Sequence, residues 1–179
     1  MRQYTNGFGV SHGQRVVAGL GSDRISLFRG EIFAGVHKER FSQKIIRDST
    51  APVFGGKIYW YPTRAWVLNL SLDQTYSDTS VPTPLNPNGF PKRSTSVAFN
   101  ARYQMARDWN ASFRSSAFRS KYFGTARRDN GWNAGFSVNY DLLRNLALTF
   151  DLDHYRMSST DTTAGYTHSI YKLGAKYRY

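Results

Sequence analysis

The sequence predicts an all-β chain: an antiparallel, up-and-down transmembrane β-barrel of about nine or ten strands, or part of a larger one. Three observations predict it. Apolar and polar residues alternate with period two in run after run, the connections alternate between short and long, and aromatic residues gather beside the short ones.

The clearest run is the last. Tyr171, Leu173, Ala175, Tyr177 and Tyr179 share one side of a strand, and Lys172, Gly174, Lys176 and Arg178 share the other. Upstream, Leu146, Leu148, Phe150 and Leu152 oppose Ala147, Thr149, Asp151 and Asp153, while Trp132, Ala134, Phe136, Val138 and Tyr140 oppose Asn133, Gly135, Ser137, Asn139 and Asp141. Val97, Phe99, Ala101, Tyr103 and Met105 oppose Ala98, Asn100, Arg102 and Gln104, and Trp66, Leu68, Leu70 and Leu72 oppose Val67, Asn69, Ser71 and Asp73. A helix would wrap each of these apolar sets right round its circumference, so helical spacing fits none of them. The run through Trp109, Ala111, Phe113 and Ala117 blurs at Phe118. Strands are expected near 14–21, 28–41, 53–61, 65–76, 94–105, 110–122, 130–141, 146–157 and 166–179. A tenth from Met1 to Val10 is short, Gly-rich and poorly patterned, and it would leave most of the edge from Gln14 to Gly21 without a partner.

Short connections fall at 22–26, 61–64, 106–108 and 141–145, and long polar ones at 42–51, 77–93, 124–130 and 158–165. The 77–93 stretch carries Pro82, Pro84, Pro87 and Pro91, which a central strand excludes. Sorting loop length by side is the habit of outer-membrane barrels, with turns in the periplasm and loops outside. The same rhythm shows as a repeat of about 40 residues: Arg64-Ala65-Trp66, Arg107-Asp108-Trp109 and Arg144-Asn145-Leu146 each open a strictly alternating run. Trp60, Trp66, Tyr103, Trp109, Tyr140, Tyr177 and Tyr179 fall on outward positions beside short turns or the terminus, where an amphipathic ring suits the lipid headgroup level.

Composition narrows the functions. No stretch approaches the roughly 18 apolar residues of a membrane helix, whereas a barrel shows lipid only alternate residues and keeps a low mean hydropathy. There are no cysteines, which removes disulfide scaffolds and Cys-based metal or redox sites. No phosphate-binding loop, dinucleotide fingerprint, nucleophile elbow or zinc-protease motif stands in the chain. His12, His37, His154 and His168 lack ligand spacing, so no metal, no cofactor and no enzymatic activity are expected. Asp151 and Asp153 share a strand face, but basic neighbours make an ion-pair network their expected use.

Lys and Arg number 24 against 12 Asp and Glu. The lumen candidates are Arg15, Arg29, Glu31, Lys57, Asp73, Arg102, Arg114, Asp151, Asp153, Lys172, Lys176 and Arg178, so the lumen is expected to be largely self-paired and mildly anion-favouring. Most of the surplus lies in loops and rims, at Lys38, Arg40, Lys44, Arg47, Lys92, Arg93, Arg127 and Arg128, where such charges either serve solubility or could contact lipopolysaccharide phosphates. The alternative is a soluble basic β-protein binding nucleic acid or other polyanions. That reading needs aromatics and cations on one face, and the cleanest strands put them on opposite faces, so nucleic acid is not the expected partner.

Several blocks resemble the C-terminal portion of the β-barrel porin type-2 family of proteobacterial outer-membrane proteins. They are Phe28-Arg29-Gly30-Glu31-Ile32-Phe33-Ala34-Gly35, Gly55-Gly56 leading to Trp60-Tyr61-Pro62-Thr63, Leu142-Leu143-Arg144-Asn145-Leu146, and the terminal strand. The resemblance spans nearly the whole chain. It implies the outer membrane of a Gram-negative cell, a porin-like passive pore or a structural or export role, and lipid and the barrel-assembly machinery as partners. Tyr171, Leu173, Tyr177 and Tyr179 would form the assembly strand. Family members are typically longer, with an export signal ahead of this region. The first residues here hold no apolar signal segment, so residues 1–179 are expected to be one barrel domain truncated at its N-terminus.

Overall fold

The computed structural model describes residues 2–6, 9–25, 27–41, 49–78, 91–123 and 125–177. They form one ten-stranded antiparallel sheet with every strand beside its sequence neighbour. The strands are β1 (Arg2–Asn6), β2 (Gly9–Ile25), β3 (Phe28–Phe41), β4 (Ser49–Trp60), β5 (Trp66–Asp78), β6 (Pro91–Gln104), β7 (Trp109–Tyr122), β8 (Arg128–Leu143), β9 (Leu146–Ser159) and β10 (Tyr166–Tyr177). Apart from β1, each is 12 to 17 residues long, enough to cross a bilayer at a tilt with some to spare.

The tenth strand that the sequence pattern disfavours is present. β1 pairs Arg2–Asn6 with Gly9–Gly13, because a backbone ladder needs amides and carbonyls rather than an alternating side-chain pattern. Its rungs stop at Gly13, so among the described residues β2 from Gln14 onward has only β3 beside it. Among the described residues no ladder joins β10 to β1 or β2, and the sheet is open. Side-chain exposure marks both edges: Leu173 on β10 is 85% exposed and Leu20 on β2 is 79%, against 41% for Leu148 in the interior of the sheet.

The expected faces hold throughout the central strands. Cross-strand partners place Trp66, Tyr103, Ala111, Val138, Phe150 and Leu173 in one outward row, and Val67, Arg102, Ser112, Ser137, Asp151 and Lys172 in the inward row beside it. Nothing among the described residues covers the apolar face. Among the described residues only Ala51, Val53 and Tyr122 are buried hydrophobics, while Leu70, Phe113, Phe136, Leu148 and many others stand exposed. A soluble sheet would bury such a face against another layer. Here no second layer meets the apolar side among the described residues.

Pairing between long strands is shortest at β4 and β5. β4 and β5 share only the rungs from Gly56–Leu72 to Trp60–Leu68. Beyond them Tyr76 of β5 stacks on His37 of β3, with ring centroids 4.5 Å apart. The upper half of β5 therefore leans across the inner face of its neighbours, and Val53, Ala51 and Gln74 are buried in this region.

Candidate functional site

The inner face is a wall of small polar side chains. Ser112 and Ser137 exchange a hydrogen bond at 2.7 Å, Asn139 donates to Asn110 at 3.1 Å, Ser94 and Ser120 meet at 3.0 Å, and Ser116 donates to Asn133. Each pair joins directly opposed residues of adjacent strands, the unit from which sheet stability is built. On a face lined by water these groups keep their hydrogen bonds and solvation together.

At the centre stands an ion-pair group. The Arg114 guanidinium lies 2.8 Å from an Asp153 oxygen and 3.9 Å from Asp151, and it donates to Ser137 at 3.3 Å. Asp153 sits two strands away, in the row that passes through Gly135 of β8. A β-carbon at Gly135 would overlap the Asp153 carboxylate, so glycine is what opens the passage. Phe118 follows the same logic. It is inward by register, and its ring lies over Gly131, which accounts for the blurred alternation at that point.

The other expected lumen residues are spread along the wall. Arg29 pairs with Asp23 at 3.2 Å near the β2–β3 turn. Arg29, Glu31, Lys57 and Tyr59 line an open cleft of about 250 Å³. Arg15 lies over the Phe33 ring and Lys57 over the Tyr59 ring, at 5.1 and 4.9 Å from the centroids. Asp73 accepts a hydrogen bond from Thr75 at 2.6 Å. Arg102 and Lys172 share the Ser112–Ser137–Asp151 row, and Lys176 lies opposite Ala147 nearer the short turns. None of these last three cations has an ion-pair partner within 4.0 Å among the described residues. Arg178 and Tyr179 lie outside the described residues, while Tyr171, Leu173 and Tyr177 occupy the outward side of the exposed β10 edge.

A second polar group, which the sequence pattern does not reveal, ties two strand pairs together at the long-loop rim. Asp129 is 2% exposed and accepts from the Tyr122 hydroxyl at 2.7 Å, from Ser159 at 2.5 Å, and from Arg127 through Nε and Nη2 at 3.1 Å each. Arg127 also faces Asp161 at 3.5 Å, in the connection to β10. The Asp129 bond holds the Arg127 guanidinium even more firmly protonated than usual, while bonds from the Thr163 hydroxyl and amide, with Arg127 adding its charge, hold Asp161 below the ordinary carboxylate range. The five residues converge only through register across three strands, which no run within the chain displays.

At the opposite rim, aromatic pairs stack on the outward face. Trp66 lies on Tyr103 and Trp109 on Tyr140, each with centroids 4.3 Å apart, and Phe28 on Trp60 at 5.9 Å. These residues sit beside the short turns, as the sequence leads one to expect. Among the described residues no cluster of three His, Asp or Glu has the spacing to hold a metal.

The family model described as Putative beta-barrel porin 2 matches residues 8–179. No curated protein and no solved structure matches the chain.

Proposed function

Because the chain belongs to the beta-barrel porin 2 family, we propose that its sheet is wall of an outer-membrane pore through which small hydrophilic solutes diffuse passively. The observation that carries this reading is the sorting of charge. Every described Asp or Glu side chain on β3–β10 stands on the inward side, at Glu31, Asp73, Asp129, Asp141, Asp151 and Asp153, while the outward side carries the apolar band. A charge at mid-bilayer costs several kcal/mol, so this sorting suits a wall with lipid outside and water within. The short-turn aromatic pairs then mark the periplasmic headgroup level, and the long loops face outward from the cell.

Arg114 is neutralised by Asp153 and Asp151, while Arg15, Lys57, Arg102, Lys172 and Lys176 have no ion-pair partner among the described residues, and the last three stand toward the periplasmic half. A mild preference for anions follows. The test is conductance of the protein reconstituted in planar bilayers under a salt gradient. The reversal potential should favour anions and move toward cations in R102Q/K172Q/K176Q. Equal reversal potentials for the two would remove this wall segment from the conducting path. The β10 edge carries the second part of the proposal: with Tyr171, Leu173 and Tyr177 outward, it is the strand offered to the barrel-assembly machinery.

A further inference from the structure

We propose that the outward face of β6–β9, on the long-loop side, is a binding site for the phosphorylated headgroup of a lipopolysaccharide in the outer leaflet. The inference rests on the outer-membrane reading above and starts from five cations that the register gathers. Arg93 is opposite Lys121, and Lys121 is opposite Arg128. Arg119 lies on the outward side of β7 one step below, and Arg156 lies on β9 beside Trp132. All five are outward by alternation, and Arg93 borders the upper half of β5, where Tyr76 turns onto the inner face. None has an ion-pair partner among the described residues, unlike Arg29, Arg114 and Arg127, and no described Asp or Glu side chain shares their face.

Their height is set by the strands. Arg93 is ten residues above Tyr103 on β6, Arg119 ten above Trp109 on β7, and Arg156 ten above Leu146 on β9. At roughly 2.5 Å of vertical rise per tilted residue, ten residues span about 25 Å, the height of the apolar band of a membrane barrel. Lys121 and Arg128 stand two residues higher again. The cations thus form two tiers at the level where the phosphates of the outer leaflet lie, separated from the aromatic rim by one hydrocarbon thickness.

The surface beneath distinguishes a lipid from free phosphate. Directly under Arg119, β7 presents Ala117 and Ser115, between Val97 and Phe99 on one side and Trp132 and Ala134 on the other, and Phe113 follows below them. The two small residues leave a short low stretch of surface beneath the cations, ended by Phe113, where the first carbons of an acyl chain would lie below its own phosphate. Five cations in two tiers match a headgroup carrying more than one phosphate better than a single phosphodiester. The contacts open to Arg93 and Arg128 are thereby extended to Arg119, Lys121 and Arg156, while Lys44 and Arg47 lie outside the described residues.

The test reconstitutes the protein in phosphatidylcholine vesicles doped with lipid A, dephosphorylated lipid A or phosphatidylglycerol, and measures lipid retained per chain by native mass spectrometry. Lipid A should be retained over the other two. R119Q/K121Q/R128Q/R156Q should retain several hundredfold less, at about fivefold per cation removed near a charged membrane surface. R64Q/R107Q/R144Q, which removes three cations at the other rim, should retain lipid A as the wild type does. Should the fourfold variant fail to insert, R119Q and R156Q alone should each lose about fivefold. Unchanged retention in the variants that insert, equal loss in the opposite-rim control, or equal retention of phosphatidylglycerol would overturn the site. Protease protection scores insertion separately: a wild-type chain that inserts and retains no lipid A overturns the site alone, and one that never inserts overturns the membrane reading with it.

Discussion

Arg114 and Asp153 form a 2.8 Å ion pair although β8 runs between their strands, and the residue of β8 at the crossing is Gly135. Three positions on three strands are therefore locked into one register by a single contact. A slip of one residue in either ladder would set a side chain where the guanidinium passes. Substituting Gly135→Ala should break the pair and cost about 1–3 kcal/mol, measured as a shift in the urea midpoint of the reconstituted barrel. Asp153→Asn should cost less but leave Arg114 partly uncompensated, raising the anion preference of the conductance. A G135A variant as stable as the wild type would show that the crossing contact has no part in holding the register.

The faces themselves are open to test on one strand. Leu148 is outward and Thr149 inward on β9. Leu148→Arg should lower barrel stability by about 2–4 kcal/mol, the cost of a cation near mid-bilayer, while Thr149→Arg should change it little. Equal losses at the two positions would reverse the assignment of lipid and lumen.

At the long-loop rim, Arg127 supplies the only cation within reach of Asp129 among the described residues. Arg127→Gln should strand a buried carboxylate and cost about 3 kcal/mol, whereas Asp129→Asn, which removes the charge itself, should cost nearer 1 kcal/mol. A thermal or urea midpoint that falls further for Asp129→Asn would contradict this ordering.

Acid should loosen the same rim through Asp161. Its folded pKa lies below the ordinary aspartate value, so the stabilisation it lends is fully present above that ordinary value, near about pH 4, and is lost as pH falls through the depressed one. Protection of the Thr163 amide against exchange, relative to its intrinsic rate, should therefore fall below about pH 4, and Asp161→Asn should abolish the acid step. An acid step of the same size in that variant would assign it to other carboxylates.

Assembly should depend on β10. Replacing outward Tyr171, Leu173 and Tyr177 with serine leaves the backbone ladder to β9 possible but removes the apolar surface at an edge that is open in this sheet. Outer-membrane accumulation, followed by heat-modifiable mobility on gels, should fall to background. Wild-type levels would mean that recognition lies elsewhere.

Nearly all of the strand pattern is legible in the sequence because lipid and water impose opposite demands on alternate residues, as at Leu146 to Asp153. β1 is not legible, since Arg2–Asn6 answers to no such contrast and pairs only through its backbone. Which charged residues share a strand face is legible from parity alone, Arg178 lying outside the described residues. What parity cannot give is which of them meet: Arg114 reaching Asp153 past Gly135, Phe118 resting over Gly131, and Asp129 gathering Tyr122, Arg127 and Ser159 all depend on relative register between strands. The outward cations Arg119, Lys121 and Arg156 fall in the same class, because their meaning comes from a common height rather than from neighbours in the chain.

The shortness of β1 carries a consequence of parity. Strands alternate in direction along this sheet, so β2 and β10, its two long margins, run the same way. They cannot zip to each other with antiparallel rungs. A second copy set margin to margin in the antiparallel sense would point its long loops through the opposite side of the bilayer, which the sorting of turns and loops forbids. Sealing this wall by antiparallel rungs takes an odd number of strands between Tyr166–Tyr177 and Gln14–Ile25, and the five residues of β1 supply rungs for only one corner of that gap.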